Sequence, residues 1–199
     1  MRILHLSDVH CDAGALRTVI SAEPFDLLVI TGDFGCLEVL EHLEGMADRA
    51  VAVTGNMDDV SIRRRLLSMG LLVDGRVREV RGLRVGGVGG IDPKADIVSL
   101  RSDLKGSGGL DVLVTHHPPK GVLDRTFMGL RIGLQAIGEL ARALRPRLHL
   151  FGHVHESPGQ QVYDGIVAVN PGPAYEGRYA VIEMDDKGVR VELRRADAL

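Results

Sequence analysis

The chain has 199 residues and a mass of 21.5 kDa, with 45% hydrophobic and 26% charged side chains. That is enough chain to bury a packed core without a disulfide or zinc staple, and the composition excludes disordered and fibrous classes. A net charge of −3 and a pI of about 6.2 exclude a general pull toward nucleic acid, and 4% aromatics with no Trp leave few platforms for stacking single strands.

In chain order, short β-like apolar runs alternate with helical spacing through the first half, the pattern of βαβ units. Strands are predicted at Arg2 to Leu6, Leu27 to Ile30 and Ala50 to Val53, with helices at Ala15 to Ser21, Leu37 to Ala47 and Val60 to Met69. From Leu72 to Ile91 the period becomes β-like and Gly-punctuated, with Arg76 to Val80 and Leu83 to Val88 read as hairpin strands. The run Gly86 to Gly90 lacks the spacing of a phosphate-binding loop and reads as close backbone approach. The second half offers a strand at Val112 to Thr115 and a Pro/Gly-rich loop. A helix from Leu134 to Leu144, ended by Pro146, and a strand at Leu148 to Phe151 follow. The tail adds strands near Ile166 to Val169, Tyr179 to Met184 and Val189 to Leu193. The expectation is one domain, residues 1–199, built as a two-sheet α/β sandwich with helices outside. The longest apolar runs are far too short for a membrane span, and the first residues read as a strand rather than a signal peptide, so the expected location is cytoplasmic. Cys11 and Cys36 have no C-x-x-C spacing and read as thiols of a reducing compartment.

Five polar clusters directly follow predicted strands: Asp8-Val9-His10, Gly32-Asp33, Gly55-Asn56-Met57-Asp58, His116-His117-Pro118 and Gly152-His153-Val154-His155. In α/β sheets ligands bind beyond the carboxyl ends of strands, so the five clusters are expected on one rim. Asp, Asn and His offer oxygen and nitrogen donors suited to Mn, Fe, Co, Ni or Zn, and the lack of thiolate argues against a structural zinc site. Side chains two apart share a face, so Asp8 with His10 and His153 with His155 each present two donors to one pocket. Such a set exceeds the needs of one ion and suits two, about 3.5 to 4 Å apart and bridged by a carboxylate.

These ordered blocks resemble those of the calcineurin-like metallophosphoesterases, and the stretch Thr115 to Glu156 with Asn170-Pro171-Gly172-Pro173 looks most like the small prokaryotic Icc-related branch. The resemblance implies an αββα fold and one metal, manganese for preference, on Asp8, His10, Asp33 and His155. It places a second on Asp33, Asn56, His116 and His153, with Asp33 bridging. Two dications less Asp8, Asp33 and a bridging hydroxide leave a formal charge of about +1, which favours an anionic phosphate ester and in-line attack by that hydroxide. The catalytic set is then Asp33, Asn56, His116 and, for proton transfer, His117, while Arg125 and Arg131 are placed to clamp phosphate. Met57 stands where the commonest family motif has His, which removes a proton donor. The remaining polar residues have blander readings. His5, His42 and His149 are structural, Asp58 by the resemblance is a residue that supports the ligands or makes a turn rather than a ligand, Asp12 and Asp92 are loop acids, and Arg63 to Arg65 form a solvated helix face.

The leading expectation is hydrolysis of a small phosphate ester, a diester by preference, with no membrane partner and self-association left open. A non-catalytic scaffold on the same fold and a nuclease are the competing functions. All candidate ligand positions hold competent residues, which counts against the scaffold, and the acidic pI counts against the nuclease.

Overall fold

The computed structural model of the chain describes residues 1–105 and 108–196. In the first sheet β1 (Arg2–Leu6), β2 (Leu27–Ile30) and β3 (Ala50–Ala52) run parallel, and β10 (Arg178–Asp185) and β11 (Gly188–Arg195) complete the order β11-β10-β1-β2-β3 as an antiparallel pair. In the second, β5 (Leu83–Val88), β6 (Val112–Thr115), β7 (Leu148–Leu150) and β9 (Ile166–Asn170) run parallel. Antiparallel β4 (Val77–Val80) and β8 (Gly159–Tyr163) form its edges, giving the order β4-β5-β6-β7-β9-β8.

The period of two along each strand sorts side chains into three apolar layers. Leu4, Leu6, Leu28 and Ile30 face outward to α1 (Ala13–Ala22) and α2 (Val60–Ser68), meeting Leu16, Val19, Ile62 and Leu66. Ile3, Val29 and Val51 face inward and pack between the sheets against Val85, Val114 and Leu150. On the far side, Val88 and Leu113 receive α3 (Pro93–Asp103) and α4 (Gln135–Leu144) through Leu100, Ile137, Leu140 and Ala141. The result is the expected two-sheet α/β sandwich with helices outside.

Several local expectations need correction. The helix expected at Leu37 to Ala47 is a short 3₁₀ segment, Glu38–Leu43; no side chain caps its start, and Gly45 turns the chain away at φ 74°. Helix α3 and strand β8 were not expected at all. Asp12 and Asp92 are helix N-caps rather than loop acids, accepting from Ala15 N at 2.8 Å and Ala95 N at 3.1 Å. Arg63 is not merely solvated, since its Nε lies 3.7 Å from the buried Asp74. Cys11 and Cys36, expected as thiols, are joined through their sulfurs with Cα atoms 5.3 Å apart, because the loops after neighbouring strands β1 and β2 lie side by side. Among the described residues no helix is long and apolar enough to cross a membrane.

Candidate metal centre

The loops after β1, β2, β3, β6 and β7 carry the five polar clusters, and because these strands are parallel within each sheet, their carboxyl ends deliver the loops to a common rim. The backbone there is held under strain. Asp8, His10, Asp33 and His153 have φ of 54°, 46°, 55° and 68°, a left-handed conformation that costs roughly 1 kcal/mol or more for each such residue. Glycines let the loops close on one another. A Cβ on Gly55 would collide with the Asp33 carboxylate, and one on Gly152 with Ser7 and Asp8, so these two motif glycines are requirements of close approach.

Two groups of potential ligand atoms result, Asp8 with His10 and His155, and Asp8 with Asp33 and His116, each lying within 4.8 Å of one another. Asp8 is buried; its Oδ1 lies 3.1 Å from His155 Nε2 and its Oδ2 accepts from His153 N at 3.1 Å. Burial raises the Asp8 carboxyl, but the His155 hydrogen bond and the neighbouring imidazoles outweigh it and draw it down to about 2. Asp33 Oδ2 lies 3.9 Å from His10 Nε2 and 3.7 Å from His116 Nε2, between the two groups, while its Oδ1 accepts from Met57 N at 2.8 Å. His153 stands 5.0 Å from His116 and 4.5 Å from His117, ring to ring. Burial and the neighbouring His116 lower His153 to about 4, and burial with His116 and His153 lowers His117 to about 3, so both rings are neutral near pH 7. The hydrogen bond to Asp8 raises His155.

Two details of this donor set fit divalent cations. His116 Nδ1 is 2.7 Å from Thr31 O, which takes the ring N–H and leaves a lone pair on Nε2; that lone pair lies 2.8 Å from Asn56 Oδ1, itself an acceptor. A cation reconciles two acceptors so close together. His10 Nε2 is buried without a hydrogen-bond partner, which a bound metal would supply.

Of the supports around the cluster, Asp58 was expected as a supporting or turn residue, whereas the roles of Asn170 and Tyr175 gave no sequence signal. Asp58 accepts from Gly35 N at 3.0 Å and Gly55 N at 2.7 Å and so latches the β2 loop to the β3 loop. Asn170 Nδ2 donates to Val154 O at 2.8 Å, bracing the loop that carries His153 and His155. Tyr175 places its hydroxyl 3.2 Å from His155 Nδ1 and its ring 5.4 Å from that of His10. His5 and His149 are buried and hydrogen-bonded, to Thr31 Oγ1 and to Thr115 Oγ1 and Tyr163 OH respectively, in keeping with a structural reading. The arginines are not drawn into the cluster. Arg131 Nη1 pairs with the buried Asp124 at 2.8 Å, Arg125 is exposed, and neither lines the cleft beside His153 and His155.

The family model for the calcineurin-like phosphoesterase superfamily domain matches residues 1–187. The chain belongs to this superfamily. Human metallophosphoesterase domain-containing protein 1 is 43% identical over 53 residues, 26% of this chain and 16% of that protein. In five curated relatives that it matches, the aligned segment takes up between 5% and 17% of their length. Among solved structures, the calcineurin-like chain superposes on the TT1561 protein of Thermus thermophilus with a TM-score of 0.72 at 19% identity, covering 96% of this chain and 97% of that one. It superposes on a novel archaeal phosphodiesterase with a TM-score of 0.60 at 17% identity, covering 98% and 100%. At such identities these likenesses establish the shared αββα fold.

Proposed function

We propose that this calcineurin-like chain hydrolyses phosphate esters, phosphodiesters by preference, using two divalent cations held by Asp8, His10, Asp33, Asn56, His116, His153 and His155. The observation that carries the reading is the facing of His116 Nε2 and Asn56 Oδ1 at 2.8 Å beside the unpartnered His10 Nε2, an acceptor-rich cluster of the kind a divalent cation satisfies. When bound, divalent cations, manganese for preference, would supply Lewis acidity to the phosphoryl oxygens and a deprotonated water as nucleophile.

The protein's own part is to place and polarise. Asp33, lying between the two ligand groups, is the proposed bridge and acts with His116 and Asn56 in holding the reacting phosphoryl group. Thr31 O fixes the His116 tautomer, and the Asp8 carboxylate orients His155 by accepting its Nε2 proton in the metal-free state. His117, neutral near pH 7 and with its ring 4.5 Å from that of His153, is proposed to act in proton transfer as an acceptor beside the cluster. A small ester in the cytoplasm is the proposed setting, and the net charge of −3 disfavours nucleic acid. The test is metal analysis of the purified protein, followed by assay of phosphate mono- and diesters with added manganese. About two metals per chain and chelator-sensitive diesterase activity are expected. A chain that binds no divalent metal, or an activity indifferent to chelator, overturns the reading.

A further inference from the structure

Beside His153 and His155 the surface opens into a cleft of about 720 Å³, lined also by Thr126, Phe127, Ile132, Glu156, Tyr175 and Glu176. Its walls combine aromatic and aliphatic faces with two carboxylates, and no Lys or Arg is among the lining residues. Phe127 is 93% exposed and stands free to meet a ligand, while Tyr175, 40% exposed, packs edge-on against His10 and His155, has its OH tethered to His155 Nδ1 and offers the cleft only part of its ring. Glu176 is paired with Arg178 at 3.1 Å. Glu156 is the freer carboxylate; it meets only the Phe127 backbone N–H, at 3.3 Å, and no cation among the described residues.

An ester whose phosphoryl group sits at the cluster must send an alcohol arm along an adjoining surface, and this cleft begins at two of the proposed ligands. We infer that the cleft receives that arm and selects arms bearing an amine or quaternary ammonium cation over arms bearing a second phosphate. The inference rests on the proposed phosphoesterase reading and deepens it. A cation is attracted both to aromatic faces and to Glu156, whereas a second phosphate would meet carboxylates, with no Lys or Arg in the lining and the adjoining Arg178 already paired with Glu176.

The test uses manganese-reconstituted protein and three diesters that share a 4-nitrophenyl leaving group: the choline ester, its uncharged 3,3-dimethylbutyl isostere and a 2-phosphoethyl ester. The expected order of kcat/KM is choline, isostere, phosphoethyl, with choline ahead of the isostere by about 5-fold at low salt. Glu156→Gln, at an exposed position, is expected to bring that ratio close to one, and Phe127→Ala to reduce it. An isostere that equals the choline ester, or a ratio untouched by Glu156→Gln, overturns the inference. Calorimetric binding of phosphocholine against inorganic phosphate separates the two readings. If every diester is inert yet phosphocholine binds more tightly in a Glu156-dependent way, the hydrolase reading falls and the cleft's selectivity stands. If phosphocholine binds no better than phosphate while the diesters turn over equally, only the cleft inference falls.

Discussion

At the scale of single residues, Asp33 and Met57 make opposite demands on the same loop pair. Asp33 belongs to the group with Asp8 and His116 and its Oδ2 also lies 3.9 Å from His10 of the other group, so on the proposed bridging role Asp33→Asn is expected to weaken both metals together, lowering content from about two per chain to one or fewer and abolishing activity. Elemental analysis of the variant decides it; two tightly held metals would sink the bridging role. Met57 is 65% exposed on the rim, and its backbone N–H, not its side chain, is what Asp33 uses. A thioether has no proton to give, so the wild type is expected to favour acidic leaving groups such as nitrophenolate over alkyl alcohols. Met57→His should raise turnover of poor leaving groups by up to about 10²-fold. The dependence of kcat/KM on leaving-group pKa in both proteins measures this, and two equally shallow dependences would assign protonation to another group.

At the scale of elements, the adjacent acids Asp58 and Asp59 separate latch from cap. Asp58 joins the β2 and β3 loops through the N–H groups of Gly35 and Gly55, so Asp58→Ala strands buried donors and is expected to cost about 2–4 kcal/mol and 10–100-fold in metal affinity. Asp59 caps α2 through Ser61 N and Ile62 N, and Asp59→Ala should cost about 1 kcal/mol with metal affinity unchanged. Urea denaturation and metal titration read the two effects separately. The same contrast explains what the sequence could disclose. Parallel strands such as Leu27–Ile30 were legible because they are buried on both faces and read as unbroken apolar runs, and the clusters at their ends were legible as local spacing. Helix α3 was not, because it buries Leu100 and the polar Asp96, which accepts from Gly89 N, and so shows no apolar stripe. Strand β8 lies at a sheet edge with Gln160 and Gln161 exposed. Asp58, Asn170 and Tyr175 act across loops that only the folded strand order brings together, and the Cys11–Cys36 pairing, 25 residues apart, depends on β1 lying next to β2.

At the scale of the whole molecule, buried ionisable groups tie stability to pH. Burial holds His5 and His149 near pKa 3 in the folded chain, below the unfolded value of 6.5. The unfolded state therefore takes up their protons first, and stability complete above pH 6.5 is lost as pH falls toward 3, by about 2 kcal/mol per residue at pH 5. Asp74 works in the opposite sense. Burial raises it to about 6, so the folded state holds an extra proton between pH 4 and 6 and recovers roughly 1.5 kcal/mol at pH 5 relative to neutral pH. Together these three groups contribute a net loss of about 2–3 kcal/mol between pH 7.5 and 5, to which the lowered His117 and His153 add further loss of the same sign in the metal-free protein. Urea denaturation at the two pH values measures it, and His149→Gln should shrink the loss by about 2 kcal/mol; a loss unchanged in that variant would remove His149 from the account.

Strand β1 bears on how the molecule comes into being. It carries Asp8 and His10 at its end and lies between β2 and β10, with Arg2 opposite Glu183 and His5 opposite Ala180. A ribosome adding about 5–20 residues per second needs on the order of 10–40 s to make the chain that separates β1 from β10. Throughout that interval one side of the nascent strand has no neighbour, and pairings so distant in sequence are slow to form even once complete. The proposed ligands reach from Asp8 to His155, so the full set exists only once three quarters of the chain has been made. The second sheet has all its strands once β9 is made, so a translation pause between β9 and β10 would prolong the life of a chain that holds every proposed ligand while β1, the strand that leads into Asp8 and His10, still lacks one neighbour.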